Sequence, residues 1–253
     1  MADHVGRSGA VIGTLAAVAV ALSATVGVLA WAHAHTLQTY RPAGDVEASG
    51  ARAPRSDDQQ ILSTVGLGAS DVGPGYTVSL LAEGDQLSQP TLDFCGLRFA
   101  SEREREARRQ VVASDTSGLA ALSTEAVLYR DQAGAAQAMG ELRGMRSRCP
   151  SGPVQSQEVG QPSLVWRVHD ASTSGWPTPG AMDRVALDVE VGRPGQDALH
   201  QLVVYLRRGR LLVGVYFASQ DGPQVPVAGE STVGGTVGLF QQRMAALPAA
   251  DVS

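Results

Sequence analysis

Lysine and asparagine are absent from this 253-residue chain, and all 20 basic side chains are arginine against 25 acidic ones. Without lysine there is no Schiff base, no Walker-type phosphate loop and no lysine general base. The net charge of −5 supplies no basic domain, so nucleic-acid binding is not expected. Histidine is sparse and scattered. His4, His33 and His35 flank an apolar run, and His169 and His200 are isolated, with no H-x-x-x-H spacing. No metal site and no cofactor are therefore expected. No G-x-S-x-G elbow is present, which removes the support for a serine hydrolase of that type. Asp188 and Glu190 fall on one face of an expected strand, where a polar surface explains them better than paired-carboxylate catalysis. Cys95 and Cys149 are the only cysteines and form nothing like C-x-x-C, so catalytic redox chemistry is not expected. The missing residue types have AT-rich codons, while the abundant Ala, Gly, Arg and Val have GC-rich ones. That composition reads as a high-GC bacterial genome.

What is present begins with one long apolar run. No charged residue stands between Arg7 and Arg41, taking His33 and His35 as neutral. The apolar part, 9–32, would span roughly 36 Å as a helix, enough for a hydrocarbon core of about 30 Å. Trp31 sits at its end, where an interfacial aromatic anchor belongs. The reading is a short cytoplasmic tail at 1–8 and a transmembrane anchor at 9–33. The alternative is a signal peptide cleaved near Ala34, at Ala32-His33-Ala34, although signal h-regions usually stop at about 15 residues. No cysteine follows the run directly, which excludes a lipoprotein anchor there.

Flanking arginines hardly decide the orientation, and the cysteines decide it better. Both lie after the run, and an even count in an exported region reads as one disulfide, with two unpaired buried thiols as the alternative. The bulk of the chain is then expected outside the cytoplasm, held at the plasma membrane. A bond between Cys95 and Cys149 closes a loop worth roughly 4 kcal/mol by chain entropy, a structural staple.

Residues 34–58 are rich in Ala, Gly, Pro, Arg, Asp and Ser without apolar periodicity, a linker. The folded domain is expected at 59–248, with a tail at 249–253. Ile61, Leu62 and Val65 suit a short helix, and Tyr76-Thr77-Val78-Ser79-Leu80-Leu81 a strand after the Gly73-Pro74-Gly75 turn. Ser101 and Glu104 fit a capping box opening a solvated helix, with Phe99, Ala107 and Val111 as its thin apolar stripe. A strand at 123–130 leads to Asp131, an N-cap for a helix whose apolar positions are Ala135, Met139, Leu142 and Met145. Pro150 stops that helix just after Cys149. Alternating apolar residues predict strands at 164–169 and 183–191, and a hairpin of 199–206 with 211–217 around Gly209. Val233, Val237, Phe240, Met244 and Leu247 step at helical period to Pro248. The expected architecture is α+β: an antiparallel sheet of five or six strands with about three helices mainly on one face. Between two strands, Trp176, Pro177 and Pro179 form a candidate ligand loop, since exposed loop aromatics often bind partners. The bland alternative folds Trp176 back over the sheet edge.

Three stretches carry a resemblance: Asp71-Val72-Gly73-Pro74-Gly75-Tyr76, Thr91-Leu92-Asp93-Phe94-Cys95-Gly96 with Ser101-Glu102, and 125–149. With the anchor and linker, the chain resembles the extracytoplasmic domains of actinobacterial envelope proteins. It resembles especially the PknH-type sensor domains of receptor serine/threonine kinases and their kinase-free relatives. The resemblance covers about 59–247 and implies an α/β domain with a cleft, an unidentified ligand and no catalytic residues. Such domains typically carry two disulfides, whereas this chain can form one, and it has no kinase, so any signal must pass through a partner protein. The leading expectation is a membrane-anchored extracytoplasmic binding or sensor-like domain of the cell envelope, without enzymatic activity. A lipid or envelope-glycan carrier is the alternative, and an uncatalogued secreted hydrolase a further one.

Overall fold

The computed structural model describes residues 56–154, 163–219 and 225–253. The chain divides into two units, Met1–Leu37 and Gln38–Ser253, and all described residues lie in the second. The expected anchor at 9–33 and nearly all of the expected linker at 34–58 fall outside the described residues. Among the described residues no helix is long and apolar enough to cross a membrane.

The elements run α1 (Ser56–Val65), β1 (Tyr76–Leu80), β2 (Arg105–Asp115), β3 (Ala120–Tyr129), α2 (Gln132–Arg148), β4 (Val165–Asp170), β5 (Asp183–Gly192), β6 (Leu199–Arg208), β7 (Leu211–Ser219), α3 (Val233–Ala246) and the single turn α4 (Ala249–Val252). The strands form one sheet in the order β1-β2-β3-β7-β6-β5-β4, with every pair antiparallel. It consists of two meanders, β1 to β3 and β4 to β7, joined where β3 pairs with β7. Short connections force antiparallel neighbours at β2–β3, β5–β6 and β6–β7. Only α2 crosses the sheet, from the central β3 to the far edge at β4.

The sheet has seven strands rather than five or six, and the extra one is β2. The expected helix from Ser101 is only a 3-10 turn, Ala100–Glu104, followed by a strand. The anticipated capping box does not form. Ser101 instead donates from Oγ to Glu141 of α2 at 2.6 Å, and the Ala100 and Ser101 amides donate to the same carboxylate. The physical reason is period. Ala107, Val111 and Ala113 alternate onto one face and join the main core, while Arg108 and Gln110 alternate onto the other, buried to 2% and 1% exposure. The charges that made this stretch read as solvated are covered by other elements.

The helices also cover both faces, not mainly one. α1 and α3 pack Leu62, Val65, Val237, Phe240 and Met244 against Leu122, Ala126 and Leu128 of β3 and Val213, Val215 and Phe217 of β7. The alternate positions of β3, Val127 and Tyr129, face the opposite way, toward α2 with its buried Ala135, Met139, Leu142 and Met145. A sheet apolar on both faces at its centre requires a layer on each.

The local signals for the helices hold. Asp131 caps α2 by accepting from the Gly134 amide at 2.9 Å, and Thr232 caps α3 by accepting from Gly235 at 3.0 Å. Arg208 satisfies the end of α3, donating to the carbonyls of Met244 and Leu247. The expected tail contributes α4, whose Val252 is buried and whose carbonyl accepts from the Arg210 amide at 2.8 Å. Gly209 makes that approach possible: its φ is +58°, and a Cβ there would stand 1.8 Å from the Val252 oxygen.

Candidate functional site

The face covered by α2 carries a polar network between β2, β3, β6 and β7. At its centre is Glu125, the one acid of β3, exposed to only 2%. One carboxylate oxygen, Oε1, accepts from Arg108 Nε of β2 and from Thr91 Oγ1 at 2.8 Å. The other, Oε2, accepts from the Tyr216 hydroxyl of β7 at 3.1 Å. The Tyr216 and Tyr205 hydroxyls lie 3.1 Å apart, linking β7 to β6. Arg108 also donates to Gln110 Oε1 and to the Glu83 carbonyl. A buried charge pair persists only where further hydrogen bonds satisfy its lone pairs and protons, and here they do. Burial pushes the Tyr205 hydroxyl well above its ordinary value. Burial likewise pushes the Tyr216 hydroxyl well above its ordinary value.

Segment 81–99 lies over this network as a strap, with Leu81 and Gly84 bonded through the backbone to Gln110 of β2. Arg105 donates to the carbonyls of Leu87 and Gln89 at 2.8 and 2.7 Å, and to Thr91 Oγ1 at 3.0 Å. Glu102 accepts from the amides of Thr91 and Leu92, both at 2.9 Å, and pairs with Arg105 at 3.0 Å. Burial raises the Glu102 carboxyl above its ordinary 4.5, with Arg105 and the two amides opposing the shift. Phe94 stands edge-on to Trp166 of β4 and Tyr205, with ring centroids 6.2 and 6.3 Å away.

The strap ends at the disulfide. Cys95 and Cys149 are bonded, with Cα atoms 5.4 Å apart, joining the strap to the C-cap of α2. Arg148 donates to the Arg98 carbonyl and stacks over Phe99, close to the same junction.

The structure places the other expected residues apart from this network. Trp176 is half-buried against α3, where a Cβ on Gly234 would lie 3.0 Å from its ring, and Arg184 sits 5.5 Å above the ring centroid. Pro177 packs on Gly238 in the same way, and its carbonyl accepts from Arg184 at 2.7 Å. The glycines of α3 thus give up helix propensity to let this loop approach. Pro177 and Thr178 are exposed and Pro179 half-buried. His169 and His200 are exposed on β4 and β6, with His200 4.0 Å from Glu190, which pairs with Arg167 at 3.0 Å. Asp188 lies opposite His169 in the β4–β5 register. Among the described residues no group of three or more His, Cys, Asp or Glu is placed to hold a metal ion.

Sequence reasoning did not find Glu125, Arg108, Tyr205 or Tyr216. The available signal was Glu125 itself, a lone acid inside a strand of buried residues.

No family model and no curated protein matches the chain. In structure it is similar to the extracellular domain of PknH from Mycobacterium tuberculosis. That similarity covers 77% of this chain and 96% of that one, at 14% identity and a TM-score of 0.43. It is also similar to an uncharacterised protein of Mycobacterium smegmatis, the Rv0999 ortholog, over 76% of this chain and 95% of that one, at 13% identity and a TM-score of 0.36. The first is a PknH domain, the type that the sequence resembles.

Proposed function

We propose that the chain is a membrane-anchored, extracytoplasmic binding domain of sensor-like type in a bacterial cell envelope, without enzymatic activity. The observation that carries this is the Cys95–Cys149 bond, which uses every cysteine of the chain. Disulfides form and persist in oxidising compartments and are rare in the cytosol. The apolar run at 9–33 supplies the attachment to the plasma membrane. The loop of Trp176, Pro177 and Pro179 is the contact surface for the ligand: its indole packs on α3 while Pro177 and Thr178 are exposed at the surface.

A carrier would need a deep apolar cavity, whereas the side chains on both sides of β3 and β7 are buried among neighbouring side chains. A hydrolase built on a catalytic histidine of the folded domain would use His169 or His200, and both stand on an exposed sheet surface. Replacing both by Ala is expected to leave every function of the protein intact.

Topology tests the reading. In cells with the wall removed, added protease should digest the domain while a cytoplasmic control survives. In the same cells, a maleimide should label Cys95 and Cys149 only after reduction. A domain protected from protease, with thiols that react without reductant, would overturn the proposal.

A further inference from the structure

We propose that segment 81–99 is a strap latched by the Cys95–Cys149 disulfide, and that a dithiol reductant releases it to bare the Arg108–Glu125–Tyr216–Tyr205 network. This goes beyond a binding domain with a static staple, and it can fail while the disulfide and the topology stand.

Three observations converge. First, the strap is held by a short set of contacts. Five of its polar ties run from three side chains, Arg105, Arg108 and Glu102, to its backbone carbonyls and amides. It is also tied by the Thr91 hydroxyl, by the Arg98 carbonyl that accepts from Arg148, by the buried side chains of Leu92, Phe94 and Phe99, and by the backbone pairing of Leu81 and Gly84 with Gln110. Second, its two ends carry left-handed residues that are not glycine: Glu83 and Cys95, each with φ of +57°. Such conformations are strained for a residue with a Cβ and persist only where the surroundings hold them. They are the points where the chain gains by letting go. Third, the disulfide lies outside the main core. Neither cysteine belongs to the cluster built by α1, α3 and the central strands. Its loss loosens the strap without touching the packing that holds the sheet.

The chemistry favours one sulfur. Cys95 is 1% exposed, while Cys149 is half-buried at the end of α2. A thiolate of the reductant attacks Cys149 Sγ, the bond to Cys95 breaks, and Cys95 leaves as a thiolate that takes up a proton. The second thiol of the reductant then closes on the mixed disulfide and releases Cys149 as a thiol. Two electrons and two protons pass to the protein, and the reductant becomes a disulfide.

Hydrogen exchange of the full chain in detergent, oxidised and then reduced with dithiothreitol, tests the proposal. Reduction is expected to raise exchange at the amides of 81–99, Thr91 and Leu92 included, by about tenfold or more, while β3, β6 and β7 stay protected. Nitration of Tyr205 by tetranitromethane should rise in parallel, and reoxidation should reverse both. Cys95→Ser/Cys149→Ser should show the opened pattern without reductant. Should that variant fail to fold, the reduced wild type still decides. Unchanged exchange in 81–99 after confirmed reduction overturns the proposal. So does a loss of protection spread equally over the strands, which makes the disulfide a global staple and not a latch.

Discussion

Arg108 of β2 stands diagonally across from Glu125 of β3, whose direct register partner is Gln110, and the two side chains form a charge pair buried to 2% exposure at both residues. Two strands that are neighbours in sequence are thereby pinned by a charged contact inside the protein, on the face opposite the main core. Thr91 and Tyr216 extend it to the strap and to β7.

Removing one partner of such a pair leaves an uncompensated buried charge. Glu125→Leu is expected to destabilise the fold by ~3–5 kcal/mol, and Arg108→Met by a similar amount. The double variant should recover most of that loss, since an apolar pair of similar volume replaces both charges. Urea unfolding of the four proteins checks this; losses that simply add would show that the pair is not coupled.

Asp71 opens one of the stretches that carry the family resemblance, and its role here is structural. It accepts from Arg243 of α3 at 2.5 and 2.9 Å and from the Gly68 amide at 2.6 Å, while its own carbonyl accepts from the Ala228 amide. Asp71→Ala is expected to cost ~1–3 kcal/mol, because it strips a partly buried guanidinium and an amide of their acceptor. Arg243→Ala in the Asp71→Ala background should cost little more. Thermal melts of the single and double variants measure the difference.

Gly140 and Gly144 of α2 have no neighbour within 4 Å of a built Cβ, and neither has a positive φ. Alanine at each is expected to stabilise the protein by about 1 kcal/mol, the helix-propensity difference. An unchanged or lowered midpoint in denaturant for Gly140→Ala/Gly144→Ala would refute this.

Asp183 supplies a pH dependence. The hydrogen bond from Arg207, with help from Arg143, holds its carboxyl below the ordinary 3.8. A depressed folded-state value means stability that is present above the unfolded value and is lost as pH falls through the folded one. Wild type should therefore exceed Asp183→Asn in melting temperature at neutral pH, and the gap should close as pH drops below 3.8. A gap that is constant with pH would show that the carboxylate charge contributes nothing.

The elements legible in the sequence were those whose polar and apolar faces match solvent and core. β5 shows Val185, Leu187, Val189 and Val191 on one side and is buried on that side. α2 shows its cap, its stripe and its stop. β2 was misread because Arg108 and Gln110 are polar yet enclosed, so one of its two inward faces looks like a surface. The same masking hid the network: nothing near Glu125 in the chain announces that Tyr216 will meet it. Trp176 was open between two readings because the glycines that receive it, Gly234 and Gly238, lie in a helix more than fifty residues later.

By itself the sequence determined the apolar run, the two cysteines, the α+β class and the period of most strands and helices, since these depend on residues close along the chain. Only the tertiary structure decided that β2 is a strand, that helices cover both faces, and that Glu125, Arg108, Tyr205 and Tyr216 converge under a strap. Whether a charge is solvated or buried depends on partners brought from distant segments, and local periodicity carries no record of them.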